Sequence, residues 1–330
     1  TYSVKDHRKG SRKMVQKNSL KYNCVIIIGP TACGKTAVSV ELAKHLSGEI
    51  ISADSLQIYR KLNIGTAKVT EDEMQGVKHY MIDVVEPTDS FSVSQYRDMA
   101  EKCFNEIVSD SKIPIIVGGT GLYIKSLLYN NNYGNCSSNA EIRKKYNLLL
   151  EKYGKEYIYN ILSKIDPVSA NKLHVNDTKR VVRAIEIYES TGKTKSQLEL
   201  ENKTSLNNKL IKPLIIGLNL SSRDNLYNKI DRRVAMMFDN GLEQEVQALL
   251  SSGITFHNQA MQAIGYREFE QYIDGQINLN QLKELIKLNT RHYAKRQLTF
   301  FNQIPINNWY NTDTQSINDI VEDIIKVFYE

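Results

Sequence analysis

The segment from Gly29 to Thr36 carries the clearest chemical signal in the sequence. It reads Gly-Pro-Thr-Ala-Cys-Gly-Lys-Thr and fits the phosphate-binding loop pattern G-x-x-x-x-G-K-S/T. The apolar run Cys24 to Ile28 before it is typical of a buried strand. Apolar residues at helical spacing follow it as far as Gly48, which we interpret as the helix stop. A chance match on a turn is the alternative, but this context favours a loop that binds a di- or triphosphate.

The residues of this loop have separate expected roles. Its backbone N–H groups and the helix N-terminus would face the phosphate oxygens. Lys35 is expected to neutralise the outer phosphates, and the Thr36 hydroxyl is expected to ligate Mg²⁺, the one cofactor that the sequence predicts. The predicted phosphate-binding residues are Gly29, Pro30, Thr31, Ala32, Cys33, Gly34, Lys35 and Thr36.

A carboxylate follows the second predicted strand, Glu49 to Ser52. ATPases with a phosphate loop usually hold their metal on an Asp at the end of another apolar strand. Here that strand, Ile113 to Val117, ends in Gly118-Gly119-Thr120 without a carboxylate. Asp54 is predicted to lie at the sheet edge where open α/β sheets bind ligands, and there it could accept a proton. Alternatively, it caps a following helix together with Ser55. The pattern favours a transferase over a hydrolase or a motor.

Strands and helices alternate around these residues. A predicted helix, Val93 to Val108, leads into the strand Ile113 to Val117, and a further strand is predicted at Leu214 to Leu220. Runs that are apolar on both faces and are separated by helices predict an α/β fold with a parallel sheet covered by helices.

The region from Tyr129 to about Leu210 has no strand signal, and its apolar residues recur at helical spacing. The sequence therefore predicts an all-helical insertion domain, 129–211. It would separate two parts of a P-loop core, 22–128 and 212–330, the second of which ends in helices. The Asn-rich residues 130–139 and the Lys/Asn-rich residues 201–209 are expected to act as hinges.

Composition and charge restrict the class of protein. The 330 residues are 41% hydrophobic, without an apolar stretch long enough to cross a bilayer and without an apolar export signal, so a cytoplasmic protein with no membrane partner is expected. The four cysteines include no C-x-x-C pair, so the sequence indicates neither a zinc site nor a disulfide framework. Residues 1–21 hold seven basic side chains and one acid, which accounts for the whole net charge of +6. This tail is predicted to be disordered, so RNA binding must be argued from local patterns.

Further motifs extend over most of the chain, and together with the phosphate loop they resemble one family, the tRNA dimethylallyltransferases, also called tRNA isopentenyltransferases. The resemblance runs from about residue 22 to about residue 312. The matching segments are Asp54 to Tyr59 (D-S-x-Q-x-Y), Asn63 to Lys68 (D-I-G-T-A-K), Gly118 to Tyr123 (G-G-T-G-L-Y), Asn176 to Glu186 (N-D-x-x-R-x-x-R-A-x-E), Ile264 to Glu268 (I-G-Y-K/R-E) and Ala294 to Gln297 (A-K-R-Q).

The resemblance implies a prenyl transfer. Dimethylallyl diphosphate would be the donor and the N6 amine of the adenosine immediately 3′ of the anticodon in tRNA the acceptor, with diphosphate released. Asp54 would accept the amine proton. Lys35, Mg²⁺ on Thr36 and Arg233 would neutralise the diphosphate. Without the resemblance, Arg233 is interpreted as part of a solvated helix face. Thr120 would sit near the acceptor base, or it is a simple turn residue. Nothing in the sequence demands a dimer, so a monomer is expected.

The same resemblance implies an anticodon stem-loop as partner. The residues that align with the RNA-contacting segments of the family are Asp54, Ser55, Leu56, Gln57, Thr120, Lys179, Arg180, Val181, Val182, Arg183, Gln262, Ala263, Ile264, Gly265, Tyr266, Arg267, Lys295 and Arg296. A basic stripe, with Tyr293, Phe300 and Phe301 among its cations, is either an RNA surface or a solvated helix face whose rings belong to the core. Its members are Lys283, Lys287, Arg291 and Lys295.

Other classes of function remain open on the sequence alone. One is a small-molecule kinase whose helical insertion is a lid, and another is an RNA-binding protein that uses a nucleotide as a switch. A nearer alternative is an isopentenyltransferase that acts on free adenine nucleotides. The RNA-segment matches favour the tRNA enzyme.

Overall fold

The computed structural model describes residues 2–5, 12–15, 21–129, 139–203 and 210–330. The chain forms two compact units. We call them the core unit, Thr1–Lys125 with Lys209–Glu330, and the helical unit, Ser126–Asn208. The helical unit begins and ends three residues before the predicted insertion, 129–211. Most of the two predicted hinges, residues 130–138 and 204–209, lies outside the described residues.

A parallel sheet forms the centre of the core unit, as predicted. Its six strands follow the order β5-β4-β6-β3-β7-β8, and every neighbouring pair is parallel. These strands are β3 (Cys24–Ile28), β4 (Gly48–Ser52), β5 (His79–Tyr80), β6 (Ile113–Gly118), β7 (Pro213–Asn219) and β8 (Asn308–Asn311). All five residues of β3 are buried because it pairs with strands on both sides and is covered by helices on both faces.

Helices cover this sheet. In the core unit they are α1 (Lys35–Leu46), α2 (Glu71–Met74), α3 (Val93–Ser109), α9 (Arg223–Asp239), α10 (Leu242–Ser251), α11 (Phe269–Ile273), α12 (Leu279–Phe301) and α13 (Ile317–Tyr329), with a 3₁₀ turn at Gln259–Gln262. The division between the two units falls within α4 (Gly121–Leu128). None of the helices in the described ranges combines the length and apolar character that a membrane span requires.

The first helix ends earlier than predicted. It stops at Leu46, and Ser47 closes it in the left-handed conformation with φ 50°. Gly48, predicted as the helix stop, instead begins β4. A Cβ at this position would lie 2.6 Å from the carbonyl oxygen of Ile113 in the neighbouring strand. Glycine is therefore required here by the close approach of two strands.

Part of the predicted disordered tail is also paired. β1 (Tyr2–Lys5) and β2 (Arg12–Val15) form a two-stranded antiparallel sheet of their own. Aromatic and β-branched residues such as Tyr2, Val4 and Val15 favour extended backbone, which the high charge of the tail obscured in the sequence.

The described part of the helical unit contains helices and no strand, as its sequence pattern predicts. They are α5 (Ala140–Ile165), α6 (Pro167–Lys172), α7 (Thr178–Thr191) and α8 (Lys195–Lys203). Gly154, at φ 81°, divides α5 into two helical segments that pack with α7. The separate core of this unit includes Tyr146, Ile158, Leu162 and Ile185.

Candidate active site

The phosphate loop joins β3 to α1. Gly34 precedes the helix in the left-handed conformation, at φ 86°, and Ala32 also has a positive φ. The Lys35 ammonium donates to the carbonyl oxygens of Gly29, at 2.9 Å, and Pro30, at 2.8 Å. A cation therefore lies inside the curve of the loop, where a phosphate chain would bind.

Three later segments of the chain hold this loop in place. The backbone N–H of Thr31 donates to Gln297 Oε1 at 2.9 Å, and its side-chain Oγ1 accepts from Arg233 at 3.1 Å. Thr312, just after β8, donates to the carbonyl oxygen of Cys33 at 2.8 Å. Of these three contacts, only Arg233 was predicted as a site residue. Gln297 lies in the A-K-R-Q motif, whereas nothing in the sequence marks Thr312.

The predicted convergence of strand ends is present. β4, β6 and β3 are adjacent, so their carboxyl ends bring the Asp54 turn, the Gly118–Thr120 loop and the phosphate loop to one edge of the sheet. We call the opening there the phosphate cleft. It is lined by Lys35, Thr36, Ser39, Ile50, Ser52, Asp54, Gln57, Val69, His79, Ile82, Val117 and Gly118.

Only one oxygen of Asp54 has a structural role. Its Oδ1 accepts from the backbone N–H of Leu56 at 2.9 Å and from that of Gln57 at 3.4 Å. The following residues form turns and not the helix that the capping hypothesis requires, so Asp54 caps a turn. Its Oδ2 makes no hydrogen bond to any other described residue. The same carboxylate can therefore fix the turn and accept a proton.

Thr120 is more than a turn residue. Its Oγ1 accepts from the backbone N–H of Ser55 at 3.0 Å and donates to Ser55 Oγ at 3.2 Å. Its own N–H donates to the carbonyl oxygen of Ala53 at 3.1 Å. These bonds join the Gly118–Thr120 loop to the two residues that flank Asp54, so Thr120 and Asp54 form one rigid group.

Tyr293, on α12, lies beside this group. Burial raises the pKa of Tyr293, the negative charge of Asp54 adds to the rise, and the neighbouring side chains of Thr120 and Gln297 oppose it. The tyrosine hydroxyl therefore stays neutral near Asp54 and does not act as a second base at neutral pH.

Arg233 is half-buried and lies close enough to Asp54 for their charges to interact, so it is not a solvated surface group. Burial lowers the pKa of Arg233, while the negative charge of Asp54 partly offsets that effect. An arginine still keeps its proton at neutral pH. A cation that is partly removed from water and bonded to the phosphate loop is suited to neutralise a diphosphate. The adjacent Arg232 is exposed, so the solvated-face interpretation holds only for that residue.

The oxygens of the phosphate cleft fit Mg²⁺. Thr36 and Ser39 contribute hydroxyls and Asp54 a carboxylate to its lining. Among the described residues, no group of three or more His, Cys, Asp or Glu side chains could hold a metal. This pattern agrees with the usual way of binding Mg²⁺, through one or two protein oxygens together with substrate phosphates and water. Thr36 stays the predicted protein ligand.

The predicted RNA residues of the core unit divide into two groups. Ser55, Leu56 and Gln57 surround the Asp54 turn and are half-buried, Ile264 is half-buried, and Gln262, Arg267, Lys295 and Arg296 are exposed. Ala263 and Tyr266 are buried, so their side chains pack inside the core unit, and their assignment to an RNA-contacting segment stays a prediction. Tyr266 donates from its hydroxyl to Glu245 at 2.6 Å and packs against Gly65. The backbone N–H of Gly265 is likewise used internally, by Glu268.

In the helical unit, the predicted RNA segment at the start of α7 also has two faces. Lys179 and Arg180 are exposed, as RNA contacts must be. Val181 and Val182 are buried among the helices of this unit, so their side chains belong to its core, and their assignment to an RNA-contacting segment stays a prediction. Helical periodicity turns them inward, which a linear motif match cannot show.

Arg183, in the same segment, forms an ion pair within the helical unit. Its guanidinium lies 3.0 Å from Glu186 Oε2, a carboxylate that is fully buried and also bonded by Arg143 and by the N–H of Asn139. Burial alone would raise the pKa of Glu186, but these hydrogen bonds outweigh it and the pKa is lowered. Arg183 therefore has a structural role whether or not it also contacts RNA.

Replacing Glu186 by Gln should lower the free energy of unfolding of the helical unit by about 2 kcal/mol, because two arginines lose a charged partner. The pKa is lowered in the folded state, so the stabilisation is present above the usual carboxyl pKa and is lost as the pH falls below it. The difference in the free energy of unfolding between variant and wild type should become smaller below about pH 4. Urea unfolding at pH 7 and at pH 3.5 or so measures both effects.

The exposed pair of Glu201 with Lys193 provides the control for this prediction. Glu201→Gln should change stability by at most about 0.5 kcal/mol, because solvent screens an exposed ion pair. If both variants lose the same free energy of unfolding, burial of Glu186 does not strengthen its ion pairs.

The four cations of the predicted basic stripe on α12 do not form one exposed surface. Three of its four cations are half-buried and occupied by neighbours within the core unit. Lys283 lies over the ring of Phe238, Lys287 pairs with Glu284 at 2.7 Å, and Arg291 lies 3.3 Å from Asp231. Of the interleaved rings, Phe301 is fully buried and Phe300 packs against Gly121. Only Lys295, with the adjacent Arg296, is exposed for a partner.

Comparison with known proteins agrees with this geometry. The family model described as IPP transferase matches residues 57–304. A protein named tRNA dimethylallyltransferase from Thermoanaerobacter sp. (strain X514) is 44% identical over 303 residues, which cover 92% of this chain and 96% of the relative. The protein of the same name from Caldanaerobacter subterraneus subsp. tengcongensis is 45% identical over 289 residues, covering 88% of this chain and 91% of that one.

Solved structures give the same result for the fold. The tRNA isopentenylpyrophosphate transferase from Bacillus halodurans superposes with a TM-score of 0.68 at 39% identity, covering 93% of this chain and 97% of its own. A eukaryotic dimethylallyltransferase described as acting on tRNA superposes with a TM-score of 0.77 at 28% identity, covering 92% of this chain and 79% of its own. Because the family model and these relatives span most of its length, the chain belongs to the IPP transferase family, as its motifs predicted.

Proposed function

We propose that this protein transfers a dimethylallyl group from dimethylallyl diphosphate to the N6 amine of the adenosine immediately 3′ of the anticodon in tRNA. The observation that carries the proposal is the grouping of Lys35, Asp54, Thr120 and Arg233 around one phosphate loop. The strand end where ATPases place a metal-binding carboxylate carries Gly118-Gly119-Thr120 instead.

On the donor side, the protein must stabilise the charge that develops on the diphosphate. The bond between the allylic carbon and the diphosphate oxygen breaks, and its electron pair leaves with the diphosphate. Lys35 and Arg233 supply two positive charges, and the backbone N–H groups of the loop supply hydrogen bonds. When bound through Thr36, Mg²⁺ would add further charge neutralisation.

On the acceptor side, the adenine amine is a weak nucleophile because its lone pair is delocalised into the ring. The nitrogen forms the new bond to the allylic carbon, and one of its protons must leave. Asp54 Oδ2 is the available acceptor, because Oδ1 is held by the backbone of the turn. Thr120 fixes the position of that turn through Ser55. Residues 54–57 therefore form one wall of the acceptor site.

The choice of acceptor rests on exposed residues. Lys295 and Arg296 in the core unit, and Lys179 and Arg180 in the helical unit, are exposed cations, although Arg180 pairs with Asp177 at 3.1 Å and Arg296 lies over the ring of Tyr293. The similar proteins named above carry tRNA in their names, which supports tRNA over free adenine nucleotides as the acceptor. That the protein is cytoplasmic and monomeric stays a prediction.

Incubating the protein with unmodified tRNA, dimethylallyl diphosphate and Mg²⁺ should yield a prenylated adenosine, identified by mass spectrometry of the digested nucleosides. ATP should not be required, because the phosphate loop is expected to hold the donor diphosphate itself. Omission of Mg²⁺ should abolish the product, since the leaving diphosphate then lacks part of its charge neutralisation.

A parallel reaction with adenosine monophosphate in place of tRNA provides the control. Equal product from both acceptors would assign the enzyme to free nucleotides. Strict dependence on ATP would contradict the proposal and favour a kinase.

A further inference from the structure

Gln297 bridges the two loops that the proposed reaction must bring together. It lies on α12 and is only 5% exposed. Its Oε1 accepts from the N–H of Thr31 in the phosphate loop, and its Nε2 donates to the carbonyl oxygen of Gly119, both at 2.9 Å. One amide therefore links the donor loop directly to the residue before Thr120.

The bridge leaves little freedom on either side. A Cβ at Gly119 would lie 2.2 Å from Gln297 Nε2, so the loop backbone lies directly against the amide. On the other side, the Thr31 hydroxyl is simultaneously bonded by Arg233. A shift of Gln297 would move Thr31, and with it the groups that bind the diphosphate. It would also move Gly119 and Thr120, and with them the acceptor site.

We propose that Gln297 is a positioning residue that sets the distance between the donor diphosphate and the acceptor adenine. This inference rests on the proposed function, and it concerns a residue that is almost fully buried and bonded to the two loops. Displacement at a carbon centre requires the reacting atoms to approach within about 3–3.5 Å in line, so a small relative shift of two loops costs rate and not folding.

The chemistry of the position requires an amide. One side must accept from an N–H while the other donates to a carbonyl oxygen. A carboxylate can make the first bond but not the second, and a methionine of similar volume has no donor and only a weakly accepting sulfur. Tyr293, one turn earlier on α12, lies beside Thr120, so the helix supports the acceptor loop at two points.

Gln297→Met should lower the single-turnover rate of transfer by roughly 10–100-fold at saturating donor and tRNA. The affinity for tRNA should stay within about twofold of wild type, because the side chain is buried, and the affinity for inorganic diphosphate with Mg²⁺ should weaken measurably by calorimetry. The diphosphate measurement does not depend on prenyl transfer. A wild-type protein that makes no prenyl adenosine would therefore refute the proposed function while this inference is still tested.

Asn23 offers a matched control at the opposite end of the sheet, just before β3. Its side-chain amide also bridges two backbone groups, donating to the carbonyl of Leu210 and accepting from the N–H of Lys212, both at 2.7 Å. Asn23→Leu should lose less stability than Gln297→Met, because the hydrogen bonds of Asn23 are exposed to solvent, and its transfer rate should stay within about twofold of wild type. Equal rates in the two variants would overturn the proposal.

Gln297→Glu separates positioning from a general structural role. At neutral pH its carboxylate accepts from Thr31 but repels the carbonyl oxygen of Gly119, and transfer should be slow. A protonated carboxyl can donate to Gly119, so the ratio of variant to wild-type rate should rise as the pH falls. A ratio that is independent of pH, together with unchanged diphosphate affinity in Gln297→Met, would exclude the bridge as the cause. Thermal unfolding of each variant verifies that it is folded.

Discussion

Asp54→Asn is expected to slow prenyl transfer by about 10²–10⁴-fold at saturating donor and tRNA, because the amide cannot accept the amine proton. The fold should be unaffected. The Oδ1 of the amide can still accept from the N–H groups of Leu56 and Gln57, which is the only hydrogen bonding that this side chain has among the described residues. Binding of dimethylallyl diphosphate should hold or improve slightly, since a negative charge near the phosphates is removed.

Asp89→Asn provides the control for this change. Asp89 also accepts from a local backbone N–H, that of Glu86 at 3.2 Å, but it is exposed and does not line the phosphate cleft. Its variant should transfer at the wild-type rate. If Asp54→Asn also transfers within about threefold of wild type in single-turnover experiments, Asp54 only caps its turn and the base lies elsewhere.

Much of the fold could be predicted because the core strands are apolar on both faces. β3 matches its predicted bounds, and β4, β6 and β7 differ by a residue or so at their ends. The two edge strands were missed for the opposite reason. His79–Tyr80 is only two residues long, and Asn308–Asn311 is polar apart from its aromatic residues. Edge strands need not be apolar on both faces, so they leave no such signal.

The chemistry of the site was predictable where its residues lie in short motifs at strand ends. The phosphate loop, Asp54 and Thr120 follow the ends of β3, β4 and β6, which are neighbours in the parallel sheet, so the topology brings them together. Gln297 and Thr312 were not predicted as site residues, because their contacts with Thr31 and Cys33 cross more than two hundred residues of chain. A buried glutamine on a helix has no pattern that distinguishes it from a solvated one.

Four of the predicted RNA residues are buried, and their burial has a common cause. Val181, Val182, Ala263 and Tyr266 are buried, whereas Lys179, Arg180, Gln262 and Arg267 in the same two segments are exposed. A motif match assigns a role to every position in a segment, whereas a helix or tight turn directs some of those side chains outward and others into the core. Lys179, Arg180 and Arg267 are exposed, but Arg183 is half-buried in its ion pair with Glu186, so residue type alone does not identify the exposed positions either.

Arg233→Met is expected to lower the transfer rate by about 10²–10³-fold, the usual cost of losing one preorganised group that stabilises developing charge. Inhibition by added diphosphate should weaken as well. Stability should change little, because the lost hydrogen bond to Thr31 is offset by relief from burying a cation near the cleft. Measurement of transfer rate, diphosphate inhibition and thermal unfolding on one preparation distinguishes these effects.

Two further variants isolate the cause of that loss. Arg232→Met removes the neighbouring charge on α9, but Arg232 is exposed, so its transfer rate should stay near that of wild type. Arg233→Lys restores a positive charge without the planar fork that bonds Thr31, and it should recover part of the rate, by about tenfold over the Met variant. If Arg232→Met and Arg233→Met lower the transfer rate equally, any positive charge at this end of α9 contributes and the position of Arg233 has no special role. If the Lys variant is as slow as the Met variant, Arg233 acts by holding Thr31 and not by its charge on the diphosphate.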